Sequence, residues 1–389
     1  MKKEILVEKQ FCCGCEACVN ICPKHCISFE EDEEGFRYPS VNAVDCIDCG
    51  LCEKVCPFKN PRESKLPLEV YAAKNINETE LLSSSSGGLF ICFAKEIIKE
   101  GGVVFGARFN ENWEVIHSYT ENLEGLSEFM GSKYVQSRIG NTYLEAKRFL
   151  QSGRKVLFTG TSCQIAGLHL YLQKEYDNLF TIDIICHGVP SPKVWRRYVT
   201  ELKGKSLGGQ IKKIYFRDKK QGWKDFSFKV SYGGSRFFGL GRNEMSHHFL
   251  KDPYMLLFLG NHILRPSCFH CQAKNGKSGS DLTIADFWGI EKCQPELYDK
   301  RGVGLLLVNN EKGKKFLDGL ELSMHKVTLE EAIARNPFYT QPVKEPEKRK
   351  QCFQIINESN MKLKKVLAHL FPVPLSIRIK RNVKSILKK

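Results

Sequence analysis

The chain has 389 residues, 42% hydrophobic, 26% charged and 11% aromatic, which excludes a disordered, collagen-like or coiled-coil protein and leaves room for two or three domains. No run approaches the roughly eighteen uninterrupted apolar residues of a membrane helix, and Met1-Lys2-Lys3-Glu4 opens on charge rather than a secretory signal, so a cytoplasmic protein is expected. The formal net charge of +15 is concentrated at one end, because residues 341–389 hold 13 basic and 3 acidic side chains.

Ten of the seventeen cysteines fall within the first sixty residues. In a chain without an export signal this density reads as metal ligation rather than disulfides. Residues 1–60 are short and poor in apolar periodicity, so the group their cysteines bind must hold them together. Cys12-x2-Cys15-x2-Cys18-x3-Cys22-Pro23 is repeated as Cys46-x2-Cys49-x2-Cys52-x3-Cys56-Pro57, the spacing of bacterial-type ferredoxins, in which the fourth cysteine of each run serves the other cluster. The expected sets are Cys12, Cys15, Cys18 and Cys56 for one 4Fe-4S centre, and Cys22, Cys46, Cys49 and Cys52 for the other. Zinc is the alternative, although tetrahedral zinc sites favour paired CxxC knuckles over triplets. Cys13 and Cys26 fall outside the pattern and read as non-ligand thiols.

Residues 61–68, polar with two prolines, read as a linker. The body after it mixes strands and helices. A strand is expected over 69–73, a helix over 89–99, a hairpin-like turn over 101–106, and a strand, helix, strand unit over 155–159, 164–172 and 179–185. Ser191-Pro192 caps a helix running to Leu202, and alternation at Phe226, Phe228, Val230 and Tyr232 marks a β-rich section. Residues 69–150 and 151–340 are taken as the two parts of this body. Residues 341–389 form a basic tail ending in an amphipathic helix over 375–389, suited to an anionic membrane surface, an acidic partner or docking on the body. Nucleic-acid binding is the weaker reading, since no motif for it accompanies the charge.

Cys163 follows the first strand of the strand, helix, strand unit and Cys186 ends the second. If the strands are parallel neighbours, both lie at carboxyl ends, where open α/β sheets place their ligands. Cys268-x2-Cys271 brings this count to four. The plainer reading is two buried structural cysteines plus a pair for zinc or for nothing.

Six ordered stretches resemble the beta subunit of coenzyme F-420 hydrogenase/dehydrogenase: Ser85-Ser86-Gly87-Gly88, Gly131-Ser132-Lys133-Tyr134-Val135-Gln136-Ser137, residues 160–168, residues 183–195, Arg265 to Cys271, and residues 281–290. The resemblance covers roughly residues 1–340 with the fused ferredoxin domain. It implies a body that binds FAD and a third 4Fe-4S cluster, for which Cys163, Cys186, Cys268 and Cys271 are the ligands. It also implies a redox enzyme exchanging electrons between a reduced donor, such as a deazaflavin or a ferredoxin, and iron–sulfur centres. Relatives include chlorophyll-pathway reductases, sulfite-reductase fusions and proteins of polysaccharide loci. The chain departs from the family pattern at Ser162, usually proline, and at Gly304, usually serine.

The residues themselves offer a flavin some support. Ser86, Gly87 and Gly88 precede a helix whose N-terminal N–H groups suit a pyrophosphate, plain helix capping being the alternative. Lys133 and Tyr134 offer a cation and a ring, or form a surface turn; Thr161 and Gln164 offer donors. His187 and His270, beside proposed cluster ligands, suit hydrogen bonding to a cluster, proton transfer at a flavin, or a structural role. Asp286-Phe287-Trp288 reads as a strand end facing the cofactor or as core. Arg217, Lys219 and Lys224 read as a basic group for an acidic substrate or partner, or as a solvated face. No GxGxxG fingerprint supports a Rossmann NAD site. The expected fold is α+β (mixed α/β): a ferredoxin-like 2x4Fe-4S domain, an α/β flavin- and cluster-binding body and a basic helical tail. The expected function is an iron–sulfur flavoprotein oxidoreductase, and the alternative is a non-catalytic electron-transfer subunit without flavin. Expected partners are a redox protein or reduced coenzyme and, through the tail, the inner membrane face or an acidic partner; no acid–base catalytic residue is assigned.

Overall fold

The computed structural model describes residues 2–3, 7–205, 209–233 and 244–372. The expected helix over 375–389 lies outside them. The body is organised on an eight-stranded mixed sheet whose order runs Leu322–Lys326, Glu69–Asn75, Gly304–Val308, Leu282–Asp286, Leu179–Ile184, Val156–Thr161, Val103–Phe109, Val115–Thr120. The four strands from Leu282–Asp286 to Val103–Phe109 are mutually parallel, and the outer pairings are antiparallel. The central strands are buried on both faces, which explains why Leu157, Phe158, Ile182, Leu305 and Leu307 read as continuous apolar runs.

Local sequence rules fix the helices. Ser191 accepts from the Val194 N–H at the start of Pro192–Lys203, and the helix buries Val194, Trp195, Tyr198, Val199 and Leu202 on one face. That face meets a three-stranded antiparallel sheet of Gln210–Asp218, Ser227–Gly233 and Glu244–His248. The alternating Phe226, Phe228, Val230 and Tyr232 all point into this core. The described part of the basic segment packs there too, through Arg349–Glu358 and Leu363–Leu370, which bury Cys352, Phe353, Ile356, Leu363, Val366 and Leu370.

The cysteine-dense lobe contains two short helices, Ala17–Ile21 and Leu51–Lys54, and a hairpin of Ile27–Glu31 and Arg37–Asn42. It shares its core with the body. Phe36 and Tyr38 enter the Trp195 cluster, while Cys15, Ala17 and Val55 join Ile165, Leu168 and Tyr143 on the sheet's helical face. The segment 61–68 lies along loop 275–279, with Ser64 Oγ donating to the Asn275 carbonyl at 2.7 Å. No helix among the described residues is long and apolar enough to cross a membrane.

Candidate functional site

The lobe gathers its cysteines into two groups. Cys18 sits in the electrostatic field of Cys12 and Cys56, Cys15 in that of Cys18 and Cys56, and burial pushes the Cys15, Cys18 and Cys56 thiols up. In the other group, Cys22 and Cys26 are buried with Cys46 and Cys52 packed against them, Cys18 of the first group touching the same cluster, and Cys49 lies next to Cys52. Cys26 is in direct contact with this second group, its sulfur 3.4 Å from that of Cys22.

A third group forms where the body meets the lobe. Cys163 opens the helix Ser162–Leu172 at the carboxyl end of Val156–Thr161, Cys186 follows the neighbouring parallel strand, and Cys268 and Cys271 come from the turn after Arg265. All four line one cavity of about 60 Å³ and are joined there by Cys13 of the lobe. Cys268 interacts electrostatically with Cys163, Cys186 and Cys271, and Cys13 with Cys163. Burial pushes Cys186 up to about 12. Positive charge at the centre of the group would reverse that and hold the thiolates. Among the described residues no three His, Cys, Asp or Glu side chains are grouped as ligands of a single ion. A cubane asks for a wider set, one thiolate at each iron corner, and four cysteines around a small cavity provide that donor chemistry. The buried Lys274 adds a cation, donating from Nζ to the Cys186 carbonyl.

Beyond this cavity, at the carboxyl ends of the parallel strands, lies a pocket of about 620 Å³, within the size range of small-molecule and cofactor sites. Ser86, Gly87, Gly88, Lys133, Tyr134, Thr161, Gln164 and His187 all line it. The two cavities share a wall of Thr161, Cys186, His187, Gly188 and Val189. The helix Leu89–Lys99 opens on this pocket through Gly88 in the left-handed region, with no side-chain cap on its first N–H groups, so the arrangement suits an anionic group. Gly87 has a separate structural reason: a Cβ there would lie 2.4 Å from Gly304 N and 2.6 Å from the Ala73 carbonyl oxygen.

Several lining residues already have partners. Lys133 Nζ donates to the carbonyls of Phe129, Met130 and Gly131 at 3.1–3.3 Å, capping Leu126–Phe129, and desolvation lowers it to about 7. Gln164 Oε1 accepts from the Thr161 N–H at 3.0 Å and Thr161 Oγ1 at 3.1 Å in a capping box, while its Nε2 donates to Ser137 Oγ. The His187 ring meets Asn261 Oδ1 at 2.7 Å and stands edge-on to Phe258 and Phe338. The ring of Tyr134 stacks on Phe258 at 4.7 Å.

The basic group expected around Arg217 is divided among separate internal partners. Arg217 pairs with Asp286 beneath the Phe226 and Trp288 rings. Lys219 Nζ donates to the carbonyls of Leu81, Ser86 and Arg301, and Lys224 pairs with Glu291. Asp286 ends its strand, Phe287 is core and Trp288 reaches the pocket. His270 stacks edge-on to Phe11 and lines the smaller cavity.

Sequence reasoning passed over His117, and it gave no sign of the orphaned atoms of Arg217 and Asp286 or of the place Cys13 takes in the third group. His117 is buried on the pocket wall, and its Nε2 donates to the Thr159 carbonyl at 3.0 Å. Burial lowers it to about 4, and Nδ1 has no partner, so the ring is neutral with a lone pair on Nδ1. Arg217 Nε and Asp286 Oδ1, on the same wall, are also without hydrogen-bond partners. Such orphaned polar atoms fit a pocket built for a polar ligand. No spacing rule marks Cys13.

Residues 153–333 match the family model for the C terminus of the coenzyme F420 hydrogenase/dehydrogenase beta subunit, and residues 11–60 that of the 4Fe-4S dicluster domain. An uncharacterized ferredoxin of Methanocaldococcus jannaschii is 35% identical over 57 residues, covering 15% of this chain and 73% of the relative. A ferredoxin of Saccharopolyspora erythraea is 35% identical over 75 residues, 18% of this chain and 66% of the relative. A 7Fe ferredoxin of Hydrogenibacillus schlegelii is 49% identical over 41 residues, and the chain spans about half of its length, 46%, while the match takes 10% of this chain. Among solved structures, a chain of the F420-reducing [NiFe] hydrogenase complex of Methanosarcina barkeri aligns with TM-score 0.47 and 14% identity over 71% of this chain and 88% of that one. Residues 153–333 are thus related to the C terminus of the coenzyme F420 hydrogenase/dehydrogenase beta subunit, and residues 11–60 form a ferredoxin-type 4Fe-4S dicluster domain, which makes the chain an iron–sulfur electron-transfer protein.

Proposed function

We propose that the chain is an iron–sulfur flavoprotein oxidoreductase in which FAD occupies the 620 Å³ pocket and a third 4Fe-4S cluster is held by Cys163, Cys186, Cys268 and Cys271. The single observation that carries the reading is the continuity of the three sites. The large pocket and the cysteine cavity share the wall 186–189, and the cavity reaches the ferredoxin lobe through Cys13. Bound in the pocket, a flavin supplies the exchange between a two-electron hydride and two single electrons.

The protein supplies placement. The uncapped N–H groups after Gly88 receive the pyrophosphate, Tyr134 and Phe258 present stacked rings on the wall, and His117 Nδ1 accepts a hydrogen bond from the ligand. Lys133, Thr161 and Gln164 shape the wall through the caps they make. The donor is a reduced deazaflavin such as coenzyme F-420, a ferredoxin or a similar carrier, and the acceptor is a redox partner at the lobe, or the flow runs in reverse.

Anaerobic purification followed by iron, sulfide and released-flavin quantification on one sample tests the reading. About twelve irons and one FAD per chain are expected. About eight irons without flavin refute it and leave an electron-transfer subunit with ferredoxin-type clusters alone.

A further inference from the structure

Arg265 is 1% exposed, among the most deeply buried large side chains of the protein. Its backbone belongs to the third cysteine group: its N–H donates to the Val189 carbonyl at 3.0 Å, and its own carbonyl accepts from the Cys268 N–H at 2.9 Å. Its side chain belongs to the lobe. Nε donates to the Cys12 carbonyl at 2.6 Å, Nη2 to the Arg37 carbonyl at 2.9 Å and toward Cys12 Sγ at 3.6 Å, and Nη1 donates to Gln136 Oε1 at 2.9 Å. The guanidinium also lies over the Tyr38 ring at 4.3 Å. Gly14, at φ +68°, lets the 12–15 loop lie flat on it, since a Cβ there would stand 2.9 Å from Nη1.

Every hydrogen-bond acceptor of this guanidinium is a carbonyl, an amide oxygen or a sulfur. A buried cation answered only by neutral dipoles is costly unless negative charge is supplied nearby. The anionic groups placed to supply it are the thiolates of Cys12, Cys13 and Cys268, with the Glu16 carboxylate, shared with Arg37 and Arg138, as a further contributor. Cys12 is in the first lobe group and Cys268 in the body group, so one fixed positive charge stands between two of the three cysteine sites.

We propose that Arg265 is a positioning residue that raises the reduction potential of the centre held by Cys12, Cys15, Cys18 and Cys56 above that of the centre held by Cys22, Cys46, Cys49 and Cys52, and fixes the first against the body. The proposal rests on the cluster assignment above. The added electron increases negative charge on the first centre, and a buried cation with an N–H directed at a ligand sulfur stabilises that state. When one electron passes from the second centre to the first, the second is oxidised by one electron and the first reduced by one, and no bond or proton changes place. Electrons in the lobe therefore collect on the centre next to the body.

The test uses the full-length chain, purified anaerobically, with Arg265→Gln and Arg265→Lys. Potentials of the two lobe centres are read by EPR-monitored redox titration, with Cys49→Ser marking the signal of the second centre. In Arg265→Gln the first centre's potential falls, shifting its electron occupancy relative to the second by on the order of tenfold. Arg265→Lys, which keeps the charge and loses the fork, gives a smaller fall in the same direction. The second centre stays where it was.

The sign separates tuning from mere docking. A lobe that has come off the body exposes the first centre to water, which stabilises the reduced form and raises the potential. A rise, no change, or an equal shift of both centres overturns the proposal. Iron counted on the unsubstituted protein reports separately on the third cluster, so its absence would sink the three-cluster reading and leave the Arg265 titration readable.

Discussion

The hairpin of the ferredoxin lobe is locked to the body by a buried ion pair, and breaking it has a calculable cost. Arg349, on the helix Arg349–Glu358, meets Glu34 at the hairpin tip with both terminal nitrogens and donates from Nε and Nη2 to the Leu264 carbonyl at 3.1 and 2.8 Å. The side chains are 7% and 16% exposed, and the guanidinium lies over the Phe353 ring at 4.8 Å. Burial pushes the Glu34 carboxyl up, and the arginine pulls it back. Arg349→Met therefore leaves a mostly buried carboxylate without its partner and strips two donors from Leu264. Removing one partner of such a pair costs about 3–5 kcal/mol, and the residual exposure of Glu34 places the expected value near the lower end. About 3 kcal/mol raises the fraction of molecules with the hairpin opened by more than a hundredfold. Native-state hydrogen exchange over residues 27–42 reads this directly in the anaerobic holoprotein. Adding Glu34→Gln to Arg349→Met removes the stranded charge, and protection recovers in part. Exchange that rises less than threefold in Arg349→Met would refute the claim that this pair holds the lobe.

Cys268→Ala with Cys271→Ala is expected to remove about four irons per chain while both lobe signals persist; unchanged iron would overturn the ligand assignment. His117 and His169 are both held near pKa 4 by burial, below the 6.5 of an unfolded histidine. The unfolded chain binds more protons between those values, so stability is full above about pH 6.5 and falls as pH drops toward 4. His117→Phe flattens the dependence of the thermal midpoint on pH in that window, and identical slopes would contradict the buried neutral ring. Gly87→Ala forces a methyl against the backbone of two sheet strands at 2.4 and 2.6 Å, costing roughly 1–3 kcal/mol. It also disturbs the turn into Leu89–Lys99, so bound flavin falls; full flavin content with an unchanged midpoint would show that the approach is not tight.

The elements of the body were legible because local chemistry and global position agree in them. The helix over 89–99 stands where its apolar spacing places it, and the proline-initiated helix after Ser191 where its cap does. Phe226 and the alternating Phe228, Val230 and Tyr232 of Ser227–Gly233 face one core. The parallel arrangement of Val156–Thr161 and Leu179–Ile184, required to bring Cys163 and Cys186 to one side, is what the structure shows. What stayed hidden was long-range. Residues 1–60 read as a separate module because their apolar residues lack periodicity, yet Phe36 and Tyr38 complete the Trp195 core, a partnership that no window of sequence contains. The lysines at 133 and 219 looked like free cations, but each is occupied by three backbone carbonyls that come together only on folding. Cys13 carried no spacing signal because its neighbour Cys163 is 150 residues away.

The way the lobe sits decides what a relay through it can do. A duplicated cysteine run has internal pseudo-symmetry and would by itself treat its two centres alike. Docking breaks that symmetry. The loop from Cys12 to Cys15 is pressed between Arg265, Gln136 and the helix Ser162–Leu172, with Cys15 buried in the body's core. The loop carrying Cys46 and Cys49 lies at the opposite extreme, with Cys49 exposed and Val44 and Ile47 presenting apolar side chains to solvent at 81% and 58% exposure. Electron transfer needs close approach, so in the proposed relay a centre on the inner loop is the one placed to exchange with the body and a centre on the outer loop the one placed to exchange with what arrives from solution. The fixed positive charge of Arg265 stands on the inner side alone. Each half of the repeat thus faces a different surface, and what distinguishes the two lies in the docking rather than in the ferredoxin motif.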